Sequence, residues 1–416
     1  MTKKQHPADQ LTEQYRALER TLSSKTQASH IVLLLLCAAM LVGFGTALCL
    51  GPKESFSPTE NRTLTTKPTI SPEALADGTL TRSLSDFCAD QFPARSAFVS
   101  AKAATELLLG RQQNNDVLLG NDGYLIKRQE YTEENRQTLE QNLAYAARFA
   151  KAMGEQNIPF AMAVIPRSVD VNKQHLPTLY DTSASDAAWS WLENACTANS
   201  LSVQNLTKPL MGAADAGEQI WFKTDHHWTV RGAYHAYVAL ADTLGYVPYP
   251  YTDFTEQTIT ERFLGTTYSS SGMYWTDGEH LTLARYEGDE QLVTEIIEGG
   301  CVTKTIEGLY DLDAVRTHDE YNVFLGGTNT HIRVTDPTDQ DKPTLILLKD
   351  SFAQSLAPYL ARHYQLVLLD PRTYKTANGS ISELIASYHP DRVLLLYGLD
   401  TLCDSTSLKM LTFGLK

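Results

Sequence analysis

Short aliphatic runs that alternate with helical segments restrict the fold of this chain of 416 residues more than any other feature. The three clearest runs are Thr344–Leu348, Leu366–Leu369 and Val393–Leu396. The same alternation begins earlier, where the predicted polar helix Glu133–Glu155 precedes the run Ile158–Ile165. Strands that are apolar on both faces are typical of a parallel sheet packed between helices. The sequence therefore predicts an α/β fold with three layers, helix, sheet and helix.

Three other segments show clear patterns. Leu84–Leu109 has helical spacing, and Pro93 suits a first helical turn. In Asp116–Ile126, two short apolar runs flank an Asn-Asp-Gly turn, which predicts a hairpin. Residues 280–331 are rich in Thr, Gly and alternating patterns, which predicts a β-rich insertion. In the first segment, the helix is expected to bury Phe98, Ala101, Ala104 and Leu108.

One uncharged run, Ile31–Leu50, is long enough to cross the hydrocarbon core of a bilayer, which needs a helix of about 20 residues. A cleaved signal peptide is the alternative, but this run exceeds a typical signal core and follows a polar segment. We therefore expect an uncleaved anchor. The first basic residue after the run is Lys53, so the positive-inside rule places the N-terminus in the cytoplasm. The basic residues before the run are Lys3, Lys4, Arg16, Arg20 and Lys25.

This span divides the chain into four expected parts. Residues 1–30 form a cytoplasmic tail, and residues 31–50 form the anchor in the lipid bilayer. Residues 51–83 begin with a stretch rich in Pro, Thr, Ser and charge, so they are expected to form an extracytoplasmic stalk. Residues 84–416 form the folded domain, which is expected to face away from the cytoplasm.

Composition narrows the classes of function. A hydrophobic content of 43% is typical of a folded domain and far from that of disordered chains. The formal net charge of −14 and the absence of a basic stripe argue against a nucleic-acid partner. Two of the six cysteines lie in the span, and no CxxC spacing occurs. The four others are expected to be small buried residues, although disulfides are allowed; they are Cys88, Cys196, Cys301 and Cys403.

Two polar clusters supply the members of a candidate catalytic triad. The first, Thr224–Thr229, contains Asp225 and His227, and the second contains Ser351. A serine hydroxyl becomes a good nucleophile when an imidazole takes its proton and a carboxylate orients that imidazole. Ser351 follows a predicted strand and precedes the predicted helix Phe352–His363, where ligands bind in open α/β sheets. This position suits a nucleophile.

Each cluster also has an alternative interpretation. An isolated Asp350-Ser351 pair is most often a helix cap. The adjacent His226 and His227 could instead ligate a metal ion in a metal-dependent hydrolase. Metal binding is disfavoured, because these histidines lack the i, i+4 spacing of helical zinc ligands and no third His or Cys stands nearby. We therefore expect no metal and no cofactor.

The chain resembles the SGNH-like proteins of the DHHW type, which are related to the AlgX/AlgJ alginate O-acetylation proteins. The resemblance implies an SGNH-hydrolase-like, flavodoxin-like domain. It also implies that Asp225 and His227 act with Ser351, which leaves His226 as a neighbour. The motifs that carry it are Pro58–Arg62, Phe87–Arg95, Asn115–Ile126, Thr224–Tyr237, Phe263–Tyr268, Phe324–Thr328 and Leu347–Leu360.

The sequence departs from that family pattern in three places. Lys349 stands where better-known SGNH enzymes have a glycine before Asp-Ser, and Gly398 stands where relatives often have an asparagine after a tyrosine. Asp225 and His227 are two residues apart, whereas many SGNH hydrolases separate these roles by three. The predicted substrate-binding or oxyanion residues are Tyr397, Trp228 and Tyr268, with Tyr274 and Trp275 as further aromatic candidates to stack on sugars.

These observations predict an extracytoplasmic serine esterase or O-acetyltransferase that acts on a cell-surface or exported polysaccharide. Ser351 would attack an acetyl ester, His227 would act as general base and then acid, and Asp225 would orient it. The resemblance also implies a membrane-bound O-acyltransferase as a partner. The alternative is a noncatalytic glycan-binding or scaffold protein of a surface-polymer modification or export complex.

Overall fold

The computed structural model describes residues 7–415. Met1–His6, which include Lys3 and Lys4 of the expected tail, lie outside the described residues. The chain divides into two compact units. One comprises residues 1–58 and 62–98, and the other comprises residues 59–61 and 99–416.

The first unit begins with one long helix, α1 (Pro7–Leu50). Its segment Thr26–Leu50 has a mean hydropathy of 2.6 and no buried part, so it is long and apolar enough to cross a membrane. It contains the predicted span. A helix of this kind near an N-terminus is compatible with a single-pass anchor or with a signal sequence.

The rest of the first unit is more regular than the expected stalk. It contains strands β1 (Phe56–Ser57) and β2 (Arg62–Thr63), which pair antiparallel, and helices α2 (Pro72–Ala76) and α3 (Thr79–Asp90). The carboxylate of Asp90 accepts hydrogen bonds from both terminal nitrogens of Arg62, at 3.1 and 2.6 Å, and from the N–H of Thr65 at 2.8 Å. The hydrogen bonds from Arg62 lower the pKa of Asp90. This carboxylate joins the strand pair to α3, which explains why the segment is not simply extended.

Helices α4 to α13 and strands β3 to β15 follow. The helices are α4 (Arg95–Leu108), α5 (Glu133–Glu155), α6 (Ser168–Val171), α7 (Ser183–Ala198), α8 (Thr207–Asp215), α9 (Val230–Leu244), α10 (Thr266–Ser271), α11 (Ala353–Leu360), α12 (Ile381–Ser387) and α13 (Leu399–Asp404). The strands are β3 (Gln113–Asn114), β4 (Val117–Leu119), β5 (Leu125–Lys127), β6 (Phe160–Ile165), β7 (Gln204–Asn205), β8 (Thr255–Phe263), β9 (Glu279–Arg285), β10 (Val293–Glu298), β11 (Cys301–Glu307), β12 (His331–Thr335), β13 (Thr344–Lys349), β14 (Gln365–Leu369) and β15 (Arg392–Gly398).

The predicted helix Leu84–Leu109 is broken in two. Helix α3 ends at Asp90 and α4 begins at Arg95, because the residue before Pro93 is disfavoured in helical conformation. The core positions predicted for it were wrong, since Phe98 is 49% exposed and Leu108 is 87% exposed. In α4 the buried residue is Ala103.

The central sheet has eight strands in the order β11-β10-β12-β14-β13-β15-β6-β7. From β14 to β7 all neighbours are parallel, as the aliphatic runs predicted. Strands β12, β10 and β11 extend this sheet in antiparallel fashion. Within the β-rich region 280–331, strands β10 and β11 extend one side of the main sheet, whereas β9 pairs with β8 in a separate two-stranded sheet.

Alternate residues of the central strands fill two hydrophobic cores. Leu345 and Leu347 of β13 pack with helices α8, α9 and α11 on one face. Ile346 and Leu348 pack with α5, α7, α12 and α13 on the other face. This arrangement confirms the three-layer α/β fold. The predicted hairpin is also confirmed, since β4 and β5 pair antiparallel.

The cysteines are largely not the buried residues that composition predicted. None of the six forms a disulfide, and Cys403 is the one that is buried. Cys301 is exposed at the start of the edge strand β11.

Candidate active site

The predicted nucleophile lies in a tight turn between β13 and α11. Asp350 precedes it and binds three groups. One carboxylate oxygen accepts the N–H of Phe352 at 3.1 Å. The other accepts the N–H of Gly398 at 2.7 Å and the hydroxyl of Thr401 at 2.9 Å. Asp350 therefore ties the turn that carries Ser351 to the carboxyl end of β15.

The loop with the two histidines leads into α9. Thr229 caps this helix, since its hydroxyl accepts the N–H of Gly232 at 3.3 Å. At the other end of the loop, the buried carboxylate of Glu279 accepts the N–H and the hydroxyl of Thr224, both at 2.7 Å. It also accepts the N–H of Lys223 at 2.9 Å. Burial raises the pKa of Glu279, and these donors counteract that shift. The loop is thus held rigidly at both ends.

The structure brings Asp225, His227 and Ser351 together. His227 Nε2 lies 2.7 Å from Ser351 Oγ, and His227 Nδ1 lies 2.6 Å from Asp225 Oδ1. The second carboxylate oxygen of Asp225 accepts the N–H of Thr266 at 2.7 Å. His227 is 5% exposed and Asp225 is 3% exposed. These contacts form a continuous hydrogen-bonded chain from a buried carboxylate to a serine hydroxyl, the arrangement of a Ser-His-Asp triad.

The electrostatic surroundings keep Asp225 ionised. Burial alone raises the pKa of this carboxyl. The opposing effects are larger: the neighbouring rings of His226 and His227, and the hydrogen bonds from His227 and Thr266, lower the pKa. The net pKa of Asp225 lies well below its usual value. A carboxylate that stays charged can hold His227 with a proton on Nδ1 and leave Nε2 to accept the serine proton.

Tyr321 is a site residue that the sequence did not indicate. Its ring stacks on the imidazole of His227, with centroids 4.0 Å apart and planes 5° apart. Its hydroxyl lies 3.1 Å from Ser355 Oγ, in α11. The residue stands in a short turn, Glu320–Val323, and no motif marks it. The stacked ring of Tyr321 restricts rotation of the imidazole of His227.

Ser351 opens into a cavity of about 300 Å³. His226, which is 40% exposed, lines the cavity beside it. The walls are apolar in part and carry charges of both signs. The charged side chains other than the triad are Lys127, Arg167, Arg372, Asp400 and Asp404.

Lys349 does not reach into this cavity. Its side chain is fully buried, and Nζ lies 3.7 Å from Asp370 Oδ2, beyond hydrogen-bond distance. Asp370 is instead bound by Arg372 through Nε at 2.9 Å and Nη2 at 2.7 Å. Burial lowers the pKa of Lys349. The lysine that replaces the family glycine therefore lies behind the site.

The three predicted substrate-binding aromatics are all buried. Tyr397 lies in the core between the sheet and α5, at 0% exposure. The indole N–H of Trp228 donates to the backbone oxygen of Phe352 at 3.1 Å, so this residue joins the two catalytic segments. Tyr268 packs against the hairpin and α4. None of these three residues lines the cavity of Ser351. Trp275 is 47% exposed but lines a separate cavity.

The metal alternative uses the same side chains. Asp225, His226 and His227 offer ligand atoms within 4.8 Å of one another. In the structure the two ring nitrogens of His227 face Asp225 and Ser351, and His226 Nδ1 lies 2.7 Å from Thr266 Oγ1. A metal ion would have to replace these hydrogen bonds, so the geometry fits proton transfer better.

Comparisons with known proteins agree with this architecture. Residues 117–277 match the family described as SGNH hydrolase-like domain, acetyltransferase AlgX, and residues 206–369 match the DHHW protein family. The probable alginate O-acetylase AlgJ of Pseudomonas fluorescens is 26% identical over 170 residues, which are 40% of this chain and 43% of that protein. The chain thus spans less than half the length of this curated relative.

Two solved structures share the fold. A DHHW family protein from Eubacterium siraeum has a TM-score of 0.56 and 18% identity, over 72% of this chain and 95% of that one. PatB1 of Bacillus cereus has a TM-score of 0.56 and 20% identity, over 70% of this chain and 98% of that one. The solved structures show the shared fold, and the two family matches agree with the resemblance indicated by the motifs: residues 117–277 are similar to an SGNH hydrolase-like domain of the AlgX type, and residues 206–369 are similar to DHHW proteins.

Proposed function

We propose that this protein is a serine esterase or O-acetyltransferase that modifies a cell-surface or exported polysaccharide. The observation that carries the proposal is the chain of contacts from Asp225 through His227 to Ser351, with both ring nitrogens of His227 within 2.7 Å of their partners. The serine opens into a cavity, as a nucleophile must. The AlgJ relative, which is named a probable alginate O-acetylase, supports acetyl transfer to a polysaccharide.

The proposed reaction has two steps. Ser351 Oγ attacks the carbonyl carbon of an acetyl ester while its proton moves to His227 Nε2. The ester C–O bond then breaks, the leaving alcohol takes this proton, and acetyl-serine remains. In the second step a sugar hydroxyl gives its proton to His227 and attacks the acetyl group, which releases Ser351. Water in place of the sugar gives acetate and makes the protein an esterase.

The negative charge that develops on the carbonyl oxygen needs a hydrogen-bond donor. The N–H of Phe352 in the turn and the N–H of Gly398 at the end of β15 already donate to Asp350. We assign this role to the backbone N–H of Ser351, which is the remaining donor next to the nucleophile.

We further propose that α1 anchors the protein in the bilayer, with the N-terminus in the cytoplasm and the catalytic domain outside it. The apolar segment Thr26–Leu50 supports the anchor, and the basic residues before it support the orientation. Activated acetyl groups are made in the cytoplasm, so a membrane-bound O-acyltransferase would supply the donor across the membrane.

Covalent labelling tests the nucleophile. The full chain in detergent is treated with a sulfonyl fluoride, a choice supported by the structure of PatB1 with a sulfonyl adduct. We expect labelling at Ser351 and hydrolysis of a small acetyl ester, with both lost in Ser351→Ala and His227→Ala. Ser190→Ala, on the exposed surface of α7, is the matched control and should behave as the wild type. Absence of labelling and hydrolysis in the folded wild type would favour the noncatalytic glycan-binding or scaffold role.

A further inference from the structure

The strand directions place a second cavity beside the candidate active site. Strands β10, β14, β13, β15 and β6 run in one direction and β12 runs opposite to them. The carboxyl ends of these parallel strands and the start of β12 therefore share one edge of the sheet. The nucleophile's cavity covers the ends of β14, β13, β15 and β6. A cavity of about 640 Å³ covers the ends of β14 and β10 and the start of β12.

The two cavities lie next to each other after β14. Arg372 lines the first cavity, and the next residue, Thr373, lines the second. Neighbouring strands in a sheet are about 4.8 Å apart, so β10 lies about 14 Å from the strand that carries Ser351. A ligand that fills both cavities must therefore be longer than one sugar ring. A linear chain that follows the edge meets this requirement.

The second cavity has a lining of hydroxyl, amide and aromatic groups. Its exposed charges are one acid, Glu298, and one base, Lys375, while Arg333 is paired with Glu295 at 2.7 Å. The exposed charges of this cavity lining, Glu298 and Lys375, are therefore opposite in sign and equal in number. The polar uncharged side chains of the lining are Thr328, Asn329, Thr330, Thr373 and Asn378.

One aromatic wall of this cavity is rigid. Tyr388, at the end of α12, is half-buried, and its hydroxyl lies 2.9 Å from His331 Nε2. The two rings are 5.7 Å apart at 90°. Burial lowers the pKa of His331 to about 4, so its imidazole is neutral at neutral pH. A tyrosine ring held beside a neutral imidazole suits the apolar face of a sugar ring.

We propose that the second cavity is a distal subsite for a linear chain of neutral sugars, so that the acceptor is held as a polymer along the sheet edge while one of its units faces Ser351. This inference rests on the proposed function for the site of transfer. It goes beyond that function by naming the acceptor's length, its charge and the residues that hold it away from the reacting atoms. Tyr388 is the principal contact.

Binding measurements on the full-length Ser351→Ala protein in detergent test the subsite without turnover. The probes are oligosaccharides of two, four and six residues from chitin, cellulose and mannan, with mannuronate oligomers of the same lengths for comparison. We expect at least one neutral series to bind at least about tenfold more tightly as six residues than as two, which is about 1.4 kcal/mol. Adding Tyr388→Ala should abolish this gain, whereas Tyr388→Phe, which keeps the ring, should retain most of it.

Two controls separate the outcomes. Trp275→Ala, at an exposed aromatic of another cavity, should leave the gain unchanged. Thermal unfolding of the Ser351→Ala protein with and without Tyr388→Ala should show a cooperative transition in both, so that a lost gain cannot be ascribed to unfolding. A gain with length that survives Tyr388→Ala, or no gain in any series, overturns the subsite. A gain confined to mannuronate overturns the neutral charge. If the wild type does not hydrolyse a small acetyl ester, the proposed function is contradicted, but the binding measurements still decide on the subsite.

Discussion

Gly265 lies so close to Asp225 that a Cβ atom at position 265 would be 2.3 Å from both Cβ and Oδ2 of the aspartate. The backbone at Gly265 has a φ of −86°, so its conformation does not require glycine. Glycine is required at position 265 because the side chain of Asp225 occupies the space that a Cβ atom would need. The absence of a side chain lets the carboxylate turn to the N–H of Thr266, which holds it at 2.7 Å.

Gly265→Ala should therefore displace Asp225 and misorient His227. We expect ester hydrolysis to fall by about 100-fold or more, as for small misplacements of catalytic groups. The protein should remain folded. The matched control is Gly212→Ala in α8, where an added Cβ meets nothing within 4 Å. This change should keep activity and gain up to about 1 kcal/mol of stability. Equal activity of the two variants would contradict the role assigned to Gly265.

Asp225→Asn tests the orienting carboxylate. An amide of the same size fills the space but favours the wrong tautomer of His227. We expect kcat for a small ester to fall by a factor on the order of 10³ to 10⁴. Thermal unfolding shows whether the fold is retained. A loss of less than tenfold in kcat would show that the 2.6 Å contact does not govern the tautomer.

Substitutions of Tyr321 separate its ring from its hydroxyl. Tyr321→Phe keeps the stack on His227 and loses the contact with Ser355, so kcat should change by less than about threefold. Tyr321→Leu loses the stack, and a ring contact worth about 1 kcal/mol corresponds to a decrease of about fivefold in kcat. The Michaelis constant should stay the same in both. An increase in the Michaelis constant alone would instead indicate that Tyr321 contacts the substrate.

Lys349→Met should stabilise the protein. The buried ammonium lacks a hydrogen-bond acceptor among the described residues, and Asp370 keeps its two bonds from Arg372 when the lysine is removed. We expect the free energy of unfolding at pH 7 to rise by about 1 kcal/mol. Lys151→Met, on the exposed face of α5, should change it by less than about 0.5 kcal/mol.

The gain from Lys349→Met should also depend on pH. Burial lowers the pKa of Lys349 in the folded state, so the unfolded chain binds more protons between this pKa and the ordinary value of 10.5. The wild type therefore gains stability as the pH rises through that window. The difference between variant and wild type should shrink from pH 7 to pH 10 in chemical unfolding experiments. A constant difference would show that the lysine is not destabilised by burial.

Removal of metal ions distinguishes proton transfer from metal catalysis. We expect ester hydrolysis by the full-length protein to be unchanged after dialysis against EDTA, because the ring nitrogens of His227 already have partners. His226→Ala should likewise retain most activity. Loss of activity in EDTA that zinc restores would favour the metal-dependent alternative.

The sequence predicted the parts of the fold whose signals are local. Helix α5 has the predicted bounds, because Thr132 caps its first turn. The buried parallel strands are recognisable because they are aliphatic on both faces. Strands β10 and β11 could not be assigned to the main sheet, since the edge strand β11 is largely exposed and β10 joins the sheet through β12, which lies well further along the chain.

The candidate site was predictable to a similar extent. Asp225, His227 and Ser351 stand in motifs, and the structure brings them together. Tyr321 and Gly265 act through packing, which residue types do not reveal. The burial of Tyr397 depends on which face of β15 it occupies, and a one-residue change of register would reverse that face.

The strand order also has a consequence for the assembly of the protein during synthesis. Strand β6 is made early, but its main parallel neighbour, β15, is among the last elements to be made. Pairing of segments so distant in sequence is slow, because the whole intervening loop must be closed first. A nascent chain therefore has its histidine loop long before it has the strand that carries Ser351. The contacts among Asp225, His227 and Ser351 can form only after residue 351 has been made, so a shorter nascent chain lacks them.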